Sequence, residues 1–92
     1  MKRYLAIVTR PADVDPELIE AHKRYLQSLL QDGRLLLSGP FAGGPGGAYL
    51  FQAADAAAAA AVVAADPLQS DPRVEIPLRE WVIRLDAAEV KA

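Results

Sequence analysis

The chain has 92 residues, a formal net charge of -2 and 52% hydrophobic residues, many of them alanine. That length suits one compact domain spanning 1–92, and the acidic balance argues against a surface that tracks nucleic-acid phosphates. With no cysteine and a single histidine, the sequence excludes disulfides and thiolate nucleophiles and gives no basis for a structural zinc site.

No apolar run approaches the ~20 residues needed to cross a bilayer. The segment from Met1 to Arg10 is too short in its apolar part, and lacks the cleavage site, for a secretion signal. A soluble cytoplasmic protein is expected, without membrane or nucleic-acid partners.

Arg3 to Thr9 reads as a strand. Period two puts Tyr4, Ala6 and Val8 on one face and Leu5 and Ile7 on the other, so both faces are apolar. Pro11 and Asp13 mark the exit loop. An amphipathic helix follows, with Asp15 as N-cap and Pro16 at its first position. Glu17 in the first turn suits the positive end of the helix dipole. Leu18, Ile19, His22, Leu26, Leu29 and Leu30 form one stripe at helical spacing. Gly33 is the expected C-cap, because glycine alone takes the left-handed conformation freely.

Arg34 to Pro40 reads as a second strand with leucine on both faces. The turn-rich stretch from Phe41 to Gly47 leads into a third strand, Ala48 to Ala53, so the two strands form a hairpin. Asp55 caps a second helix. Its eight alanines and two valines between Ala56 and Ala65 are strong helix formers that let it lie close to a sheet. Asp66-Pro67 ends that helix, and Asp71-Pro72 marks another turn. Arg73 to Leu85 reads as a long final strand, in which Pro77 demands an edge position or a register-shifting bulge. The tail from Asp86 to Ala92 is expected to be loosely held.

Strand, helix, strand, strand, helix, strand is the split pattern of an α+β, ferredoxin-like βαββαβ fold with an antiparallel sheet. Right-handed crossovers put both helices on one sheet face. Two helices cannot cover strands that are apolar on both sides, and a large open apolar face usually marks an interface. A homodimer packed sheet to sheet is expected.

His22, on the apolar stripe, is either a packed structural histidine or a general acid–base, since imidazole titrates near neutrality. Asp66 is either a turn residue before Pro67 or the partner that orients the imidazole. With 44 positions between them, spacing does not decide. The glycine-rich stretch from Gly43 to Gly47 is not read as a phosphate loop, because strands flank it on both sides where that motif needs a helix N-terminus. Ser38 is a strand residue with a supporting role near a ligand as its functional reading. Arg24 and Arg34 are solvated charges or anchors for an anionic substrate. Trp81 suits the core or a dimer interface, and Tyr25, flanking the stripe, suits packing against a loop.

Three segments together resemble the YCII-related family: Ala21-His22-Lys23-Arg24-Tyr25-Leu26, Gly33-Arg34-Leu35-Leu36-Leu37-Ser38-Gly39-Pro40 and Ala65-Asp66-Pro67-Leu68, with Trp81 late in the last strand. The resemblance covers essentially the whole chain. It implies a ferredoxin-like subunit of a dimeric α+β barrel and a cleft holding His22 and Asp66. One branch of the family is associated with dehydrochlorination of chlorinated hydroxyhydroquinones, and the related muconolactone-isomerase-like proteins move protons on small ring compounds. The expected function is therefore a lyase or isomerase acting on a small aromatic or lactone substrate. Catalysis falls to His22 and Asp66, substrate contacts to Ser38, Arg24 and Arg34, and no metal or organic cofactor is required. The alternative is a non-catalytic dimer that binds a small metabolite or a partner domain in the same cleft.

Overall fold

The computed structural model describes residues 1–89. Four strands and two helices follow the expected order: β1 (Lys2–Val8), α1 (Pro16–Gln31), β2 (Leu35–Pro40), β3 (Gly47–Ala53), α2 (Ala56–Ala64) and β4 (Leu78–Glu80). The strands form one antiparallel sheet in the order β2-β3-β1-β4. This is a ferredoxin-like α+β fold.

The local signals in the sequence act as chemistry requires. The Asp15 carboxylate accepts from the Glu17 N–H at 2.9 Å, and Asp55 does the same for Ala58 at 2.9 Å. Each satisfies a donor that the first helical turn would leave orphaned. Gly33 takes a left-handed φ of 77° and ends α1 with its N–H on the Leu30 carbonyl at 3.0 Å.

Tyr4, Ala6 and Val8 of β1 pack with Tyr49, Phe51 and Ala53 of β3 on the helix-facing side of the sheet. Leu29 from α1 and Ala59, Val62 and Val63 from α2 close over them. Each fully buried large apolar side chain contributes roughly 1.5–3 kcal/mol. Leu30 departs from the expected stripe: it is 51% exposed, while its neighbour Leu29 is fully buried. The inward arc of α1 therefore runs through Leu29 and stops short of Leu30.

A bulge in β2 changes which side chains face which way. Leu35 pairs with Phe51 and Leu37 with Leu50, so Leu36 is the extra residue. One inserted residue reverses the alternation beyond it. Leu35 therefore points into the core, Leu37 points to the opposite face, and Ser38, opposite Tyr49, returns to the helix side.

The last strand lies at the edge of the sheet, one of the two solutions that Pro77 allows; it is shorter than expected and has no bulge. Tyr4, Leu5 and Ala6 pair with Glu80, Arg79 and Leu78, and the Thr9–Glu75 bridge keeps the same register on the far side of Pro77. The Ile7 N–H donates to the Pro77 carbonyl at 3.0 Å, but Pro77 has no N–H to return, so the ladder is interrupted there rather than shifted. At the other end, Trp81 donates its N–H to the Arg3 carbonyl at 2.8 Å. β1 begins at Lys2, so Ile83 to Leu85 run past the end of their neighbour. Trp81 is 51% exposed, which removes it from the core. Asp86 is held by Arg3 at 3.1 Å and a short 3-10 turn covers Ala87–Glu89; the rest of the stretch expected to be loose lies outside the described residues.

The sheet face away from the helices carries Leu37, Leu50 and Leu5 in a row across β2, β3 and β1. Ile7 joins them by alternation. Leu37 is 69% exposed, Leu5 and Ile7 are half-buried, and Leu50 is 6% exposed, so the opening lies at the Leu37 end of the row.

Candidate functional site

α1 and the turn after α2 bring His22 and Asp66 together. The His22 Nδ1 lies 2.9 Å and 2.8 Å from the two carboxylate oxygens of Asp66. A carboxylate only accepts, so Nδ1 carries the proton in this pair and Nε2 is left to the other side of the ring. The His22 side chain is 15% exposed and that of Asp66 is not exposed at all. The ring is reachable while its partner is sealed behind it.

Asp66 sits just beyond the C-terminal end of α2, where the helix dipole disfavours negative charge. The chain offsets this by starting a new turn there. Asp66 caps the 3-10 turn Pro67–Ser70, and its Oδ1 accepts from the Leu68 N–H at 3.0 Å. Its Oδ2 also accepts from the Tyr49 hydroxyl at 3.2 Å. A buried carboxylate is tolerated only when its lone pairs are occupied, and here a ring N–H, a hydroxyl and a backbone N–H occupy them.

Tyr49 is the site residue that the sequence did not single out. It is 1% exposed, on the same face of β3 as Phe51, and its ring centroid lies 6.0 Å from that of His22. Burial, reinforced by the Asp66 charge and hydrogen bond, raises its phenol well above the ordinary tyrosine range. It is a donor to Asp66 and stays one. Tyr25 packs against α2 rather than a loop: its hydroxyl donates to the Val62 carbonyl at 2.7 Å, and burial raises its phenol as well.

The His22 ring opens onto a cleft of about 370 Å³ between α1 and the β2–β3 hairpin. Val8, Ile19, Leu26, Pro40, Ala48 and Leu68 make it largely apolar. Ser38 reaches it because of the β2 bulge. Gly46 and Gly47 form part of its wall. A Cβ on Gly46 would fall 2.3 Å from the Val8 carbonyl oxygen, and one on Gly47 2.3 Å from that of Gly39. The glycines at this end of the hairpin are there for close backbone approach.

Arg24 and Arg34 do not line the cleft; Arg10 and Lys23 do. Arg24 lies two positions on from His22, about 200° around the helix, and is exposed. Arg34 follows the cap at the far end of α1 and pairs with Asp32 at 2.9 Å. Arg10 escaped the sequence reading because it follows a strand in a loop, where no periodicity assigns a direction. Among the described residues, no three potential metal ligands of the His, Asp or Glu type come together.

A YCII-related domain model matches residues 1–82. The chain belongs to the YCII-related family. It is 32% identical over 84 residues to the uncharacterized protein YjpA of Bacillus subtilis (strain 168), covering 91% of this chain and 99% of that relative. It is similar in structure to muconolactone isomerase, with a TM-score of 0.73 and 20% identity over 98% of this chain and 97% of the other. At that identity the likeness concerns the fold, and the chemistry has to be argued from the cleft itself.

Proposed function

We propose that this YCII-related chain is a small-molecule enzyme of the lyase or isomerase type, with His22 as the proton-transferring group. The observation that carries the reading is the 2.8 Å contact between His22 Nδ1 and a fully buried Asp66 carboxylate oxygen, behind a ring that faces an apolar cleft. With Nδ1–H held by Asp66, the Nε2 lone pair is the base. It takes a proton from a substrate carbon or phenolic oxygen and returns it to another atom for isomerisation, or leaves it on the ring while the substrate expels a leaving group. Asp66 stabilises the imidazolium formed in between, as carboxylates do beside catalytic histidines. Tyr49 and the Leu68 N–H keep the carboxylate from turning away. Ser38, on the cleft wall, is placed to hydrogen-bond a substrate oxygen.

The substrates this reading favours are small rings that give up a proton to the imidazole, from carbon as in muconolactone or from a phenolic oxygen as in a chlorinated hydroxyhydroquinone that expels chloride. The same reading includes a homodimer joined through the open sheet face, which encloses the apolar row of Leu37, Leu50 and Leu5.

The test is exchange of carbon-bound protons in D2O, followed by NMR on muconolactone and on a chlorinated hydroxyhydroquinone. Exchange or product formation is expected with the parent, and His22→Ala is expected to slow it about 100- to 10,000-fold, the usual worth of general acid–base help. Equal rates in parent and His22→Ala would overturn the role of His22.

A further inference from the structure

The cleft is apolar in its walls but not neutral. Among the described residues its charged lining is Arg10 and Lys23, with no carboxylate. The two cations are not equivalent. Lys23 points largely into water, with its side chain 64% exposed, and it pairs with Glu20 at 3.2 Å. Arg3, Arg34 and Arg73 each pair with an aspartate; among the described residues Arg10, Arg24, Arg79 and Arg84 have no carboxylate partner, and of these Arg10 alone is half-buried, the others being exposed. The recorded hydrogen bond of Arg10 runs from Nη1 to the Pro11 carbonyl at 3.1 Å, which leaves most of its N–H groups available.

Arg10 is also firmly rooted. The preceding residue, Thr9, exchanges paired backbone hydrogen bonds of 2.8 and 2.9 Å with Glu75. A guanidinium is a planar fork of donors that matches a carboxylate with two parallel hydrogen bonds. Partly buried and unpaired, it carries a desolvation cost that an anion would offset.

We propose that the cleft takes a small organic carboxylate: an apolar, ring-sized body against Val8, Ile19, Leu26 and Leu68, and a carboxylate on Arg10. This deepens the acid–base reading of the same cleft by naming the charge of its substrate, and within that reading it favours an acid such as muconolactone over a chlorinated hydroxyhydroquinone, which carries no carboxylate. Lys23 adds long-range attraction at the rim rather than a seat.

The single histidine reports on binding. Benzoate, benzamide and acetate are titrated into the parent, Arg10→Gln and Lys23→Gln while the imidazole C–H signals are followed by NMR. Saturable shifts are expected with benzoate, with benzamide and acetate each at least tenfold weaker, because one lacks the charge and the other the ring. Arg10→Gln is expected to weaken benzoate at least tenfold, and Lys23→Gln less than threefold. Benzamide binding as tightly as benzoate would overturn the proposal. So would full benzoate affinity in Arg10→Gln, a loss in Lys23→Gln as large as in Arg10→Gln, or no saturable shift with benzoate at its solubility limit. Circular dichroism melts confirm that the variants are folded. Failure of the acid–base reading looks different: benzoate binds through Arg10, yet His22→Ala leaves proton exchange on ring substrates unchanged.

Discussion

A carboxylate buried as deeply as that of Asp66 has to be surrounded by donors, and the identity of those donors sets what the site can do. The Leu68 N–H comes from the turn that Asp66 itself caps, so it is a local contact. The Tyr49 hydroxyl and the His22 ring come from distant parts of the chain. Tyr49→Phe removes one donor without changing shape, and is expected to cost about 1.5–3 kcal/mol, the usual worth of a hydrogen bond to a charged group. Urea unfolding would read it as a lower midpoint. The same variant tests the titration of Tyr49. Because its phenol is raised in the fold, the folded chain keeps a proton that the unfolded chain loses near pH 10. Its contribution is therefore fully present below about pH 10 and is lost as the pH climbs towards the folded value. Midpoints taken between about pH 8 and about pH 11 should fall for the parent and fall less for Tyr49→Phe. An equal fall in both would remove Tyr49 as the cause.

The elements show where sequence patterns carry structural information and where they lose it. Helix caps at Asp15 and Asp55, the glycine stop at Gly33 and the strand alternation in β1 were legible, because each is a local rule with a local partner. The β2 bulge was not. Leu35, Leu36 and Leu37 are chemically identical, so nothing in their order marks the extra residue that turns Ser38 into the cleft. Pro77 signalled trouble in the last strand, but the solution, a missing donor in an otherwise constant register, depends on β1 beside it. His22 and Asp66 stood out one by one; that they meet across 44 positions is a product of the fold. Tyr49 could not be told from other strand tyrosines without that meeting. The hairpin glycines allow a direct test. Gly46→Ala puts a Cβ against the Val8 carbonyl at a φ of 89°, whereas Gly44 has open space around it. Gly46→Ala is expected to cost about 1–3 kcal/mol and Gly44→Ala less than about 0.5 kcal/mol, measured by thermal or urea unfolding. Equal costs would mean that the hairpin end is not held against β1.

For the whole molecule, the unequal treatment of the two sheet faces is the main fact. One face is covered by both helices; the other leaves Leu37 69% exposed and Trp81 51% exposed. A single domain of this size has little apolar surface to spare. Under the homodimer proposal, light scattering of the parent at micromolar concentration should give twice the chain mass. Leu37→Lys should shift it towards the monomer with little loss of fold, since Leu37 is exposed in the single chain. A monomeric parent would contradict the proposal. The cleft lies on the helix side of the sheet, so the proposed dimer face and the His22 site occupy opposite faces.

The most direct measurement concerns the direction of the hydrogen bond between His22 and Asp66. In uniformly 15N-labelled protein, long-range proton–nitrogen correlations of the one histidine ring distinguish a protonated Nδ1 from a protonated Nε2. At a pH where the ring is neutral, Nδ1 should carry the proton and Nε2 should be bare. In Asp66→Asn, the amide oxygen can still accept from Leu68 while its NH2 group faces the ring, so the proton should move to Nε2. That pair of results would mean that Asp66 fixes the imidazole as a base directed at the cleft. A parent ring already protonated on Nε2, or one indifferent to Asp66→Asn, would contradict it and leave His22 a packed histidine.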